Sequence, residues 1–447
     1  MRYIPLTDQE KQEMLEEIGV ESVDELFEDI PSRMLLKEPL PLPAALSEAE
    51  LIRHFQELAA KNVDLSQTVS FLGGGAYDHL IPSIIKHIAG RGEYLTAYTP
   101  YQAEISQGVL QSIFEFQGLI AELTGMEAAN ASIYDGATAL AEAALMACAV
   151  TGRKKVLLPA TLHPEWKEVA ELYLKSQDLA VEYIPYDPRK GTLDPAALEK
   201  TEWSQFAGAV VQQPNFFGLL EEAAPVSQRI REQGGLFIMA VDAISLGLLK
   251  SPGELGADIA VGDGQSLGNT VSFGGPSLGF FATSGSKLIR RMPGRVVGET
   301  VDKEGRRGFV LTLQTREQHI RRERATSNIC SNQALNAFIS TIYLSVLGKK
   351  GFQDVAFQNL QKSNYFQQRL LEIGGLSLKF SAPSFREFVI RGDVDWEEMN
   401  LRLLEHGFIG GLPLKRFGFP QAALFAVTEA RTKEEMDAFI NVFRGLI

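Results

Sequence analysis

With 447 residues, 45% of them hydrophobic and 22% charged, the chain has the material for a large core and the composition of neither a disordered nor a fibrous protein. A formal net charge of −13 disfavours a sequence-independent grip on nucleic acid, which requires basic patches against phosphate. Two cysteines, Cys148 and Cys330, make neither a disulfide framework nor a zinc site, and the absence of any eighteen-residue apolar run or apolar N-terminal segment argues for a cytoplasmic rather than a membrane or secreted protein.

Residues 1–65 read as a helical arm. Thr7 to Glu10 and Ser47 to Glu50 have capping-box spacing ahead of amphipathic runs, and the Pro-rich LLKEPLPLPAAL between them predicts an extended connector. Such an arm either wraps a neighbouring subunit or caps its own surface, and both readings stand. Next come Gly73 to Gly75, which suit either a plain turn or a close approach to a ligand. TAYTPYQAEISQG follows, placing Tyr98, Tyr101, Gln102 and Glu104 on a segment that Pro100 keeps out of a regular helix, so a polar, pre-bent wall is expected.

Gln107 to Leu123 predicts a helix, and an Ala-rich helix begins near Gly136 with Asp135 at its N-cap. From there strands and helices alternate: KKVLLPA, a helix from Pro164, AVEYIPYD, a helix near Pro195, FAGAVVQQPN, a helix near Val226, and LFIMAVDA. This alternation predicts a mostly parallel sheet with right-handed crossovers. Leu236 to Val241 form a buried strand with Asp242 at its C-terminal lip, where ligands bind in open α/β sheets. His163, after the first of these strands, is either a polar cap or a site residue. ADIAVGDGQ predicts the next strand, followed by a polar loop holding Gly264, Gln265 and Ser266, then GGP and the strand GFFA.

Arg290 to Ala334 is the most basic part of the chain. Its arginines around Arg316 to Arg324 suit carboxylate binding or a solvated face. Beyond it lie two long helices, the strands LSLKF and FREFVIRG, a helix from Trp396, FAVTEA and a Thr432-capped final helix, an α+β pattern. The expected domains are thus the arm at 1–65, a large α/β domain at 66–329 and a small α+β domain at 330–447. No nicotinamide or P-loop fingerprint occurs.

The order of strand, Asp242, strand, Gly-rich loop, GGP and strand resembles the cofactor core of pyridoxal-phosphate enzymes of the aspartate-aminotransferase-like fold, type I. The resemblance implies that Asp242 faces the pyridinium nitrogen, that His163 lies over the ring, that the helix from Gly136 receives the phosphate, and that a loop lysine forms the Schiff base. That lysine is missing: Gln265, or Ser266 one residue on, stands near its place, and Asp135 would repel a phosphate. Lys250 and Lys287 lie outside the loop and read as surface charges. Asp135, His163 and Asp242 therefore predict a vestigial pocket.

TAYTPYQAEISQG, ANASIYDGATA, RRMPGRVVGET and TREQHIRRERATSNICSNQAL together carry a closer resemblance that spans nearly the whole chain. It is to the alpha, or first, subunits of split P-proteins of the glycine cleavage system, the decarboxylating glycine dehydrogenases. What this implies is an oxidoreductase acting on glycine, with pyridoxal phosphate held covalently by a separate beta subunit, and the lipoyl group of the H-protein as acceptor. The expected assembly is a heterotetramer of two alpha and two beta chains. This chain would then hold no catalytic residue and no metal, and Tyr98, Tyr101, Gln102 and Glu104 would form one wall of an interface site. Two other readings stand beside it: a self-sufficient pyridoxal-phosphate desulfurase or aminotransferase, which the missing lysine opposes, and a non-enzymatic scaffold.

Overall fold

Apolar runs bounded by glycine and polar turns pair into a seven-stranded sheet in the computed structural model, which describes residues 6–447 except 37, 315–317, 326, 330 and 331. Its strands in chain order are β1 (Ala128–Ala129), β2 (Lys155–Pro159), β3 (Ala180–Ile184), β4 (Phe206–Gln213), β5 (Leu236–Asp242), β6 (Ile259–Asp263) and β7 (Gly279–Thr283). Across the sheet they run β1-β7-β6-β5-β4-β2-β3. The five strands β2 to β6 pair in parallel, as the alternation predicts, while β7 is antiparallel to β6 and β1. Side chains along β5 alternate between two apolar layers. Phe237, Met239 and Val241 pack beneath helices Gln107–Thr124 and Ala224–Glu232, whereas Ile238 and Ala240 face helices Gly136–Thr151 and Pro164–Lys175. With helices on both faces the central strands need no polar side, which is why they read as continuous apolar runs.

The basic stretch holds an element that its sequence does not announce, an antiparallel hairpin of Val296–Val301 and Arg307–Thr312. Buried Gln117 pins it, donating to the Val297 carbonyl at 2.9 Å and accepting from the Val297 amide at 2.9 Å. Arg316 and Cys330 lie outside the described residues.

A second, antiparallel sheet takes the order β8-β9-β11-β10, from β8 (Ser377–Leu378), β9 (Glu387–Arg391), β10 (Leu412–Pro413) and β11 (Ala422–Ala426). Phe366, Phe388, Phe425 and Phe439 fill the layer between this sheet and its helices. The two long helices expected here are one run, Ala334–Leu371, broken at Gly348, whose φ of 58° and ψ of −176° no helix contains. The segment after Val69 joins the two sheets. Val69–Ser70 pairs with Phe408–Ile409, Leu72 bridges to Phe425 of β11, and Tyr77 reaches the loop after β6.

Residues 1–63 form a separate unit. Helices Asp8–Ile18 and Glu48–Ala59 each open with the expected capping box, from Thr7 and Ser47, and no residue of either is buried.

Candidate functional site

Gly74, Gly75 and Tyr77 line one side of a small cavity of about 60 Å³ at the carboxyl ends of β5 and β6, a volume on the scale of a few water molecules. Three of the sequence-predicted residues line it: His163, Asp242 and Gln265. Glycines make this close lining possible. A Cβ on Gly73 would collide with the Glu387 carboxylate, and one on Gly75, at φ +113°, would press on the His163 ring at 3.2 Å. The triple glycine is therefore a close approach to side chains of this chain itself.

Asp242, Arg386, Glu387, His163 and Gln265, among the lining residues, already have internal partners. Asp242 ends β5 as expected and forms an ion pair with Arg386 at 2.5 Å. Arg386 is only 3% exposed, lies over the Tyr77 ring with its guanidinium 3.5 Å from the centroid, and donates to His79 Nε2 at 2.6 Å. That acceptance leaves His79 Nδ1 to donate to Glu429 at 2.8 Å. Burial opposes the Arg386 charge, but Asp242, Tyr77 and the nearby glutamates hold its pKa above the ordinary value. Burial likewise works against Glu429, yet His79 and the Leu80 amide outweigh it and bring its carboxyl to about 2.

Glu387, next to Arg386, accepts from the Gly74 amide at 2.7 Å and the Tyr77 hydroxyl at 2.8 Å. Burial pushes its carboxyl up to about 7 against the pull of Arg386. His163 is the N-cap of helix Pro164–Lys175: Nδ1 accepts from the Glu165 amide and Nε2 donates to the Gly74 carbonyl at 2.7 Å, a neutral tautomer that suits the lowering of its pKa by burial. Gln265 clasps Tyr77, accepting from its amide at 3.0 Å and donating to its carbonyl at 3.1 Å. Lys250 and Lys287 are exposed, as expected.

Asp135 does not line the cavity. It caps helix Gly136–Thr151 by accepting from the Thr138 amide at 2.7 Å, and Asp263 takes the Gly136 amide at 3.1 Å. The four wall residues lie elsewhere, and none of them lines the cavity. Tyr98 is 87% exposed, and Tyr101, Gln102 and Glu104 are exposed as well. Beneath them Arg295 donates to the Tyr101 hydroxyl at 2.9 Å, with its guanidinium 5.2 Å from the ring centroid. Sequence reasoning missed Tyr77, Asp263, Arg386 and Glu387. Its one usable signal was the adjacent Arg and Glu opening the otherwise apolar strand in FREFVIRG.

A mostly parallel sheet with an acid at the end of a central strand, beside a small antiparallel sheet, is the fold of type I pyridoxal-phosphate-dependent enzymes. An aspartate aminotransferase of subgroup IV from Thermus thermophilus shares that fold with a TM-score of 0.56 at 16% identity, over 85% of this chain and 98% of its own. The family model of the glycine cleavage system P-protein matches residues 1–443, and the chain belongs to that family. It is 53% identical over 448 residues, spanning both chains in full, to the probable glycine dehydrogenase (decarboxylating) subunit 1 of Carboxydothermus hydrogenoformans. A crystal structure of glycine decarboxylase (P-protein) of the glycine cleavage system, in inhibitor-bound form, superposes with a TM-score of 0.92 at 43% identity over the full length of both. The sequence reading of an alpha-type P-protein chain, a subunit of glycine dehydrogenase, is borne out, and family membership decides against the desulfurase or aminotransferase reading.

The cavity does not fit the cofactor of that fold. No amine stands in the loop after β6, the strand-end Asp242 is taken by Arg386, and the first helical amides that would meet a phosphate are held by the carboxylates of Asp135 and Asp263. Among the described residues no cluster of His, Cys, Asp and Glu suits a metal ion, and no helix is long and apolar enough to cross a membrane.

Proposed function

We propose that this chain is one half of a two-chain glycine decarboxylase of the cytoplasm and supplies the wall of a site whose lysine and pyridoxal phosphate belong to the second subunit. Glycine loses carbon dioxide there, and its aminomethyl group passes to the lipoyl arm of the H-protein, whose disulfide is reduced. The observation that carries this reading is the segment 98–104. Tyr98, Gln102 and Glu104 lie exposed on a proline-bent stretch held at its base by the Arg295–Tyr101 contact, while the cavity that would serve a self-sufficient enzyme is small and its strand-end acid already paired. The exposed apolar side chains Leu95 and Ile105 flank the same segment, as suits a face that a partner covers.

The test is glycine–bicarbonate carboxyl exchange with lipoylated H-protein. Exchange is expected from the two subunits together and not from this chain alone, and activity of this chain alone overturns the reading. Tyr98→Phe in the reconstituted pair should lower exchange about tenfold, the scale of one lost hydrogen bond to the reacting complex, while co-elution of the subunits is unchanged.

A further inference from the structure

Arg386 brings to Asp242 what a protonated pyridine ring would bring. It is planar and cationic, pairs with the Asp242 carboxylate through Nη2 at 2.5 Å, and stacks on an aromatic face, Tyr77, at 3.5 Å. We propose that Arg386 is a built-in substitute for the cofactor ring, and that the Tyr77, Arg386 and Asp242 stack pins the two sheets together in a permanently closed arrangement. Asp242 ends β5 of the large sheet, while Arg386 leads into β9 of the small one, so their ion pair is a bolt between the two sheets. Other contacts hold the bolt in place. Gln265 grips Tyr77 on both sides of its backbone, and His79 passes the Arg386 contact on to Glu429, which Asn359 of helix Ala334–Leu371 also engages at 2.9 Å. In a cofactor-dependent chain of this fold, ligand binding neutralises the strand-end aspartate. Here the chain neutralises it from within, so the closed shape needs no ligand and the wall segment is presented without one.

The inference rests on the fold class and not on the division of labour proposed above. Its test uses readouts other than turnover. The full chain carrying Gln265→Lys is incubated with pyridoxal phosphate, reduced with borohydride and mapped by peptide mass, beside Gln265→Lys/Arg386→Met. Labelling at position 265 is expected to be at least tenfold greater in the double variant, and detectable but equal labelling of the two overturns the inference. A urea-unfolding cycle decides the case in which neither variant labels. Arg386→Met should lower the midpoint sharply and Asp242→Asn should restore most of the loss, because no carboxylate is then left without its cation. Losses that simply add overturn the inference.

Discussion

Glu387 holds a carboxyl in a place that penalises its charge. Its pKa of about 7 lies above the 4.5 of an exposed glutamate, so the folded chain binds this proton more tightly than the unfolded chain does. The sign follows: the stabilisation is complete below pH 4.5, fades as pH climbs through about 7, and amounts to roughly 3 kcal/mol at most. Glu387→Gln keeps an acceptor for the Gly74 amide and carries no charge at any pH. Urea midpoints at pH 5 and pH 8 should therefore differ less in the variant than in the parent. Glu142, raised to about 7 by burial, drifts in the same direction in both proteins and cancels from the comparison. Identical pH slopes would refute the assignment. Cys148 behaves as a core residue, its thiol pushed up to about 11 by burial, and no reactivity at neutral pH is expected of it.

At the scale of elements, Gly348 is where conformation rather than packing sets the cost of change. A Cβ there meets nothing within 4 Å, yet φ 58° with ψ −176° is territory that essentially only glycine enters. Gly348→Ala should cost about 1–3 kcal/mol of stability with no cavity and no clash to explain it, measurable as a lowered urea midpoint. A neutral outcome would mean that the two halves of the Ala334–Leu371 run can meet at another angle. How much was legible in the sequence follows from the range of the contacts involved. The parallel strands were readable because crossover helices bury both faces and leave apolar runs, and the caps from Thr7, Ser47, Asp135 and Thr432 were readable because they act within one turn. The absent lysine was equally plain. The hairpin at Val296–Val301 was not, since Gln117 pins it from a distant helix, and neither was Arg386, whose partner Asp242 lies in another sheet. The hairpin leaves no local pattern, and for Arg386 the Arg-Glu pair that opens FREFVIRG marks the residue but not its partner.

The whole molecule consists of a body with its own core and an N-terminal unit without one. Within the N-terminal unit Ile18 and Phe55 on its helices and Leu36 and Leu42 on the connector are exposed, so the capping boxes fix the helix ends but the unit builds no core of its own. The consequence concerns how the protein behaves in a test tube. Greasy side chains presented in rows seek each other when their natural cover is missing. Produced without a second subunit, the full chain should self-associate as its concentration rises, and removing residues 1–63 should reduce that tendency without altering the circular dichroism expected of the body. Sedimentation velocity over a hundredfold range of concentration reads this directly. A full-length chain that stays monodisperse throughout would show that the arm needs no cover, and co-expression would then offer no gain in yield of soluble material.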